Sequence, residues 1–149
     1  MFAIYLCAIP IVIADCKYHR IPNIYLIGML YVIGLERVLH GFSSMRFLAV
    51  CALLLVGLHI VCRVGMGDIK LIFLICLALD LASFSQFCIL LTTVALLAVV
   101  TVLVQWLFTG GLPSSIAMAP SIFSATWLYL GARSAPLLQE YADALVNSW

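Results

Sequence analysis

The sequence predicts an all-α integral membrane protein, a bundle of about six transmembrane helices followed by a short C-terminal amphipathic helix. Two features of composition and one of pattern predict it. Hydrophobic residues make up 66% of the 149 and charged residues only 9%, whereas a soluble domain is nearer half apolar and a quarter charged. So few charged side chains cannot cover a surface that faces water. The charges also fall in short clusters that cut the chain into apolar runs. Each run approaches the roughly 20 residues of helix that span a bilayer, or somewhat fewer where the bilayer thins.

Taken in order, the first span covers 1–16 and the second 21–35. The polar stretch 36–46 separates them from a third span over 47–62. Glycines at 65 and 67 break the chain, and a fourth span follows over 68–81. Residues 83–86 lead into a long fifth span over 87–108, closed by the turn sequence Thr109-Gly110-Gly111-Leu112-Pro113. The sixth span covers 115–131. From Pro136 onward Leu137, Leu138, Tyr141, Leu145 and Val146 recur at helical spacing between polar residues, the pattern of a helix lying in the membrane interface. The division is therefore a polytopic domain over 1–132 and an interfacial tail over 133–149. Phe2 directly follows Met1, so the basic region of a signal peptide is missing, and no small-x-small cleavage site precedes Asp15. The first apolar run is expected to be a retained membrane helix.

Net charge is +1, with no basic patch of the kind that binds nucleic acid. Lys17, Arg20, Arg63 and Lys70 lie at one end of the expected bundle, and Arg37, Arg46 and Arg133 at the other. Counting basic residues in short loops, the first end is expected to be cytoplasmic and the N-terminus outside. The six cysteines form no CxxC pair, so a thiolate metal site has no support, and most are expected to pack as small hydrophobes.

Ionisable side chains within spans are expensive and point to function. Asp15 ends the first span and Asp68 opens the fourth. Between them the chain crosses out and back, so both carboxylates are expected at the same depth and in one site. Two carboxylates in contact in a low dielectric hold one proton between them. The ionised member can take a proton from water while the protonated member polarises a peptide carbonyl, which is general acid/base hydrolysis with no metal or cofactor. Gly65 and Gly67 allow backbone shapes and close approaches that a side chain would block, and Asp68 sits where a helix dipole favours a carboxylate.

These residues resemble a known family. Asp15, then Arg20-Ile21-Pro22-Asn23, then Gly65-Met66-Gly67-Asp68-Ile69-Lys70-Leu71, is similar to the bacterial type IV prepilin peptidases and archaeal preflagellin peptidases, GxGD-type membrane aspartic proteases. The Pro-containing stretch from Ala117 to Phe123 resembles, more loosely, the family's last helix. The resemblance covers residues 1 to about 132. It implies that Asp15 and Asp68 are the catalytic pair, with Arg20, Pro22, Asn23, Gly65, Gly67 and Lys70 as supporting motif positions. It implies an endopeptidase of a prokaryotic inner (cytoplasmic) membrane, acting near the cytoplasmic face. The implied partners are pilin, pseudopilin or archaellin-like precursors, whose leader ends in glycine before an apolar helix that enters from the bilayer lipid. No cofactor is implied. The cysteine-rich insert of the bifunctional, methylating members is missing, so the chain is similar to the short peptidase-only form that serves Flp or tight-adherence pili. Within this reading Pro22 suits the first turn of the second span, and Asn23 can bond to backbone groups there. Arg20 can hold a lipid phosphate or the loop. Lys70 needs a carboxylate or carbonyl partner, with Asp15 or Asp68 the obvious candidate.

Plainer readings compete at several positions. Asp15 alone can mark a helix end beside Lys17. Asp80 is expected to be a boundary residue or cap. His19, His40 and His59 show no ligand spacing and are expected at the interface or in packing. Trp106, Trp127 and Tyr129 suit the aromatic belts. Cys16 would need His19 as its base to act as a nucleophile. A small proton-coupled transporter using the two aspartates, and a non-catalytic pilus-assembly protein, are the alternatives to a peptidase.

Overall fold

The computed structural model describes residues 2–41, 45–62, 64–81, 83–110 and 117–134, and among these the protein is entirely helical. Six helices follow one another: α1 (Phe2–Tyr18), α2 (Asn23–His40), α3 (Met45–Cys62), α4 (Met66–Leu79), α5 (Phe84–Thr109) and α6 (Ala119–Ser134). The expected turn after Thr109 and the amphipathic tail fall largely in 111–116 and 135–149, outside the described residues.

The shortest helix is the centre. Eight of the 14 residues of α4 are buried, among them Leu71, Ile72, Ile75 and Leu79. Helices α1, α2, α3 and α6 all pack on it, and α5 packs on α6. The faces turned toward α4 follow helical periodicity: Ile4, Ala8, Ile11 and Asp15 of α1, and Leu26, Met29 and Ile33 of α2, are all buried. The outer surface is also apolar. Leu53, Val61, Leu107 and Phe108 are between 75% and 84% exposed, which water does not favour for so many large side chains. Two helices, α3 and α5, are long and apolar enough to cross a membrane.

Helix ends depart from the sequence expectation where polar groups serve the fold. The stretch from residue 36, expected as a loop, is helical through His40. The reason lies across the bundle, where the last carbonyls of α4 run short of donors, Leu77 O taking, among the described residues, only the Asp80 N–H at 3.4 Å from its own helix end. Arg37 reaches them, with Nε donating to Leu77 O at 3.1 Å and Nη2 to Ala78 O at 2.7 Å. Its Nη1 also pairs with Asp80 Oδ2 at 3.0 Å. Asp80 closes α4 in the left-handed region at φ 53°, a conformation that Asp adopts more readily than most residues. At the start of α5, Ser83 accepts a hydrogen bond from the Gln86 N–H, an ordinary N-cap. Gly110, at φ 67°, closes that helix.

Candidate active site

At the other end of α4 the protein becomes polar. Here α1 ends, α2 and α4 begin, and their termini enclose a cavity of about 370 Å³. Asp15 and Asp68 both line it, together with Arg20, Asn23, Gly65, Gly67 and Lys70. Of the two aspartates and the six supporting motif positions, Pro22 alone is off the wall. It sits just before α2 in extended conformation (φ −62°, ψ 130°), one position earlier than expected, and its carbonyl accepts the Tyr25 N–H at 3.1 Å.

The two aspartates are held differently. Asp15 is only 4% exposed, and its Oδ2 accepts the Ala119 N–H at 2.8 Å. Ala119 is the first residue of α6, so Asp15 satisfies one of that helix's orphan donors at the positive end of its dipole. Asp68, half-buried in the first turn of α4, has no hydrogen-bond donor on its carboxylate among the described residues. It lies close enough to Asp15 for their charges to repel. One carboxylate is thus fixed by the scaffold, and the other is left open to the cavity.

The glycines act by absence of bulk. Neither Gly65 nor Gly67 needs a left-handed backbone: Gly65 has φ −56°, and positive φ among the described glycines is confined to Gly41 and Gly110. The expectation of unusual backbone shapes is therefore corrected to one of close approach alone. A Cβ on Gly65 would stand 2.7 Å from Asp68 Oδ2, so the side chain of Asp68 folds back over the residue that precedes its helix. A Cβ on Gly67 would stand 3.3 Å from Ile21 Cβ, so this glycine lets the loop between α1 and α2 lie against the start of α4.

Lys70 meets a carbonyl, one of the two partner types expected, though not the aspartate that stood first: its Nζ donates to Asn23 Oδ1 at 3.3 Å, joining the first turns of α2 and α4. Asn23 is correspondingly engaged by a side chain, and α2 starts without a side-chain cap. The spacing explains this: Lys70 stands two positions beyond Asp68, which turns it toward another side of the helix.

Sequence reasoning passed over two participants. His19, expected at the interface or in packing, is exposed at the end of α1 and also lines the cavity. It is one of two non-glycine residues with positive φ among those described (48°), and its N–H bonds to Asp15 O at 2.8 Å, closing α1. Ala119 offers only a backbone N–H. The signal available for it was Pro120, which marks a helix's first turn and hence a buried N-terminus in need of an acceptor.

The arrangement presents two neighbouring carboxylates in a polar recess, one anchored and one unengaged among the described residues, a pair able to take up and return protons. Compared with protein-family models, curated proteins and solved structures, the chain matches none.

Proposed function

We propose that this chain is a multi-pass membrane aspartic endopeptidase that removes the leader of pilin-like precursors at the cytoplasmic face of a prokaryotic inner membrane. The observation that carries the reading is the meeting of Asp15 and Asp68, from separate helices, in one polar cavity of an otherwise apolar protein. Ionised groups within apolar bundles are retained for chemistry or transport, and the motif residues around this pair are those of the prepilin peptidases.

All six helices are read as crossing the bilayer. Helices α3 and α5 have the length and composition, and the exposed aliphatic surface suits lipid. The 14 residues of α4 extend only about 21 Å, with the cavity at one end and the Arg37–Asp80 pair at the other. Burial inside the bundle allows this short helix to serve as the central span. The cavity then opens to water at the end that bears Lys17, Arg20 and Lys70, the cytoplasmic side by the basic-residue rule.

In hydrolysis, one carboxylate takes a proton from water as its oxygen adds to the scissile carbonyl carbon. The other gives a proton to the carbonyl oxygen. Collapse of the tetrahedral adduct breaks the C–N bond, with a proton passing to the leaving nitrogen. Coexpression with candidate precursors, read by mass spectrometry for leader loss, tests the reading. Wild type should release the leader, and Asp15→Asn and Asp68→Asn should not. Proton flux in proteoliposomes without any cleavage would put a transporter in its place.

Gly65→Ala gives a sharper check on geometry. The new methyl group would meet Asp68 Oδ2 at 2.7 Å and push that carboxylate aside. Displacement of a reacting group by about 1 Å can lower a rate by roughly 100-fold. Cleavage is expected to fall by about 10- to 100-fold with the melting temperature nearly unchanged. Wild-type turnover by this variant would mean that the observed position of Asp68 does not matter.

A further inference from the structure

We infer that the apolar groove between α2 and α4 docks the hydrophobic helix of the precursor and aims its leader junction at the aspartate pair; this rests on the peptidase reading above. The groove has a volume of about 380 Å³ and is walled by Leu26, Ile27 and Leu30 of α2 and by Phe73 and Leu74 of α4. At its polar end stand Asn23 and Lys70. Both residues also line the cavity that holds Asp15 and Asp68. Groove and cavity are therefore one continuous surface, apolar along the helices and polar where they begin.

The spacing is that of one stripe on each helix: 23, 26, 27 and 30 on α2, and 70, 73 and 74 on α4. From Asn23 to Leu30 the stripe climbs about 10 Å. That is enough to seat the side chains along two turns of a neighbouring helix, with the chain passing over Asn23 and Lys70 on its way to the carboxylates. Asn23 Oδ1 accepts from Lys70 Nζ, and its amide N–H groups are the donors suited to a substrate carbonyl at that crossing.

A second apolar groove lies between α1 and α6, lined by Ala8, Ile9, Val12, Phe123 and Trp127 among others, with a volume of about 230 Å³. It shares no lining residue with the polar cavity among those described. Continuity with the site therefore selects the α2–α4 groove. Moving an apolar helix from lipid to protein gains little by hydrophobic transfer, so docking depends on packing. Filling the groove should block it.

The test uses the full chain in proteoliposomes and two synthetic probes with the same junction. One is a single-span precursor with a basic leader ending in glycine, and the other is a short soluble peptide that stops just past the junction. Ile27→Trp is expected to lower kcat/KM for the spanning probe by about 10-fold or more, chiefly through KM, and to leave the short peptide within about twofold. Ile9→Trp, in the α1–α6 groove, should change neither. Equal loss on both probes, no loss on either, or loss with Ile9→Trp instead would overturn the inference. Photocrosslinking from Ile27→p-benzoylphenylalanine should capture the spanning probe, and capture of lipid alone would also overturn it. If wild type cleaves neither probe, the peptidase reading falls while the crosslink still decides the groove.

Discussion

Asp68→Asn is expected to cut leader cleavage by about 100- to 10,000-fold, the range that a positioned acid or base contributes, and to leave the protein inserted and as stable as before. The side chain keeps its size and shape, so packing around Gly65 is undisturbed. What disappears is the ability to accept and return a proton. No hydrogen bond is lost among the described residues, because the carboxylate of Asp68 accepts none. Removing its charge also relieves repulsion from Asp15. Rate and stability should therefore separate cleanly: single-turnover cleavage in detergent or proteoliposomes collapses while the thermal melt stays in place. Asp68→Glu is expected to fail as well, since the extra methylene carries the carboxylate about 1 Å or more from where Asp68 holds it beside Gly65. Near wild-type processing by Asp68→Asn would remove this residue from the chemistry.

The placement of that residue beside Asp15 is legible in the sequence because it follows from parity. Two successive helices, one running out and the next back, return the chain to the end of the bundle it left, whatever the exact helix ends. The ends themselves were less readable, since hydropathy registers charge and not its use. Glu36 and Arg37 look like the start of a loop, yet α2 continues through them. The carbonyls of Leu77 and Ala78 at the end of α4 need donors, and only the folded bundle shows that Arg37 supplies them. Gly65 and Gly67 were legible as points of close approach, but not what approaches: Asp68's own carboxylate in one case and Ile21 in the other. For Lys70 the kind of partner was legible, a carboxylate or a carbonyl, but not which one: charge complementarity favours an aspartate, while the direction of the side chain leads to the amide carbonyl of Asn23. The bond from Ala119 to Asp15 joins positions 104 residues apart and uses a backbone donor that carries no side-chain signature.

That bond makes Asp15 answer for structure as well as chemistry, and a series of substitutions should split the two. Asp15→Asn retains an oxygen able to accept the Ala119 N–H, so α6 should stay capped and stability should fall by less than about 1 kcal/mol. Cleavage should nevertheless drop by about 100- to 10,000-fold, as for Asp68→Asn, because the proton acceptor is gone. Asp15→Ala removes the acceptor altogether from a position that is 4% exposed. A buried N–H left without a partner costs about 1–3 kcal/mol, and the loss of a carboxylate at the head of α6 adds to it. Asp68→Ala is the matched control, since it deletes an equal carboxylate from the head of α4, where the dipole favours it but it accepts no hydrogen bond among the described residues. The expected order of stability in a denaturant titration is therefore wild type, Asp15→Asn and Asp68→Ala close together, with Asp15→Ala well below. If Asp15→Ala unfolds together with Asp68→Ala, the contact with Ala119 carries no weight. If Asp15→Asn cleaves at the wild-type rate, Asp15 is only the cap of α6 and a single carboxylate must do the hydrolysis.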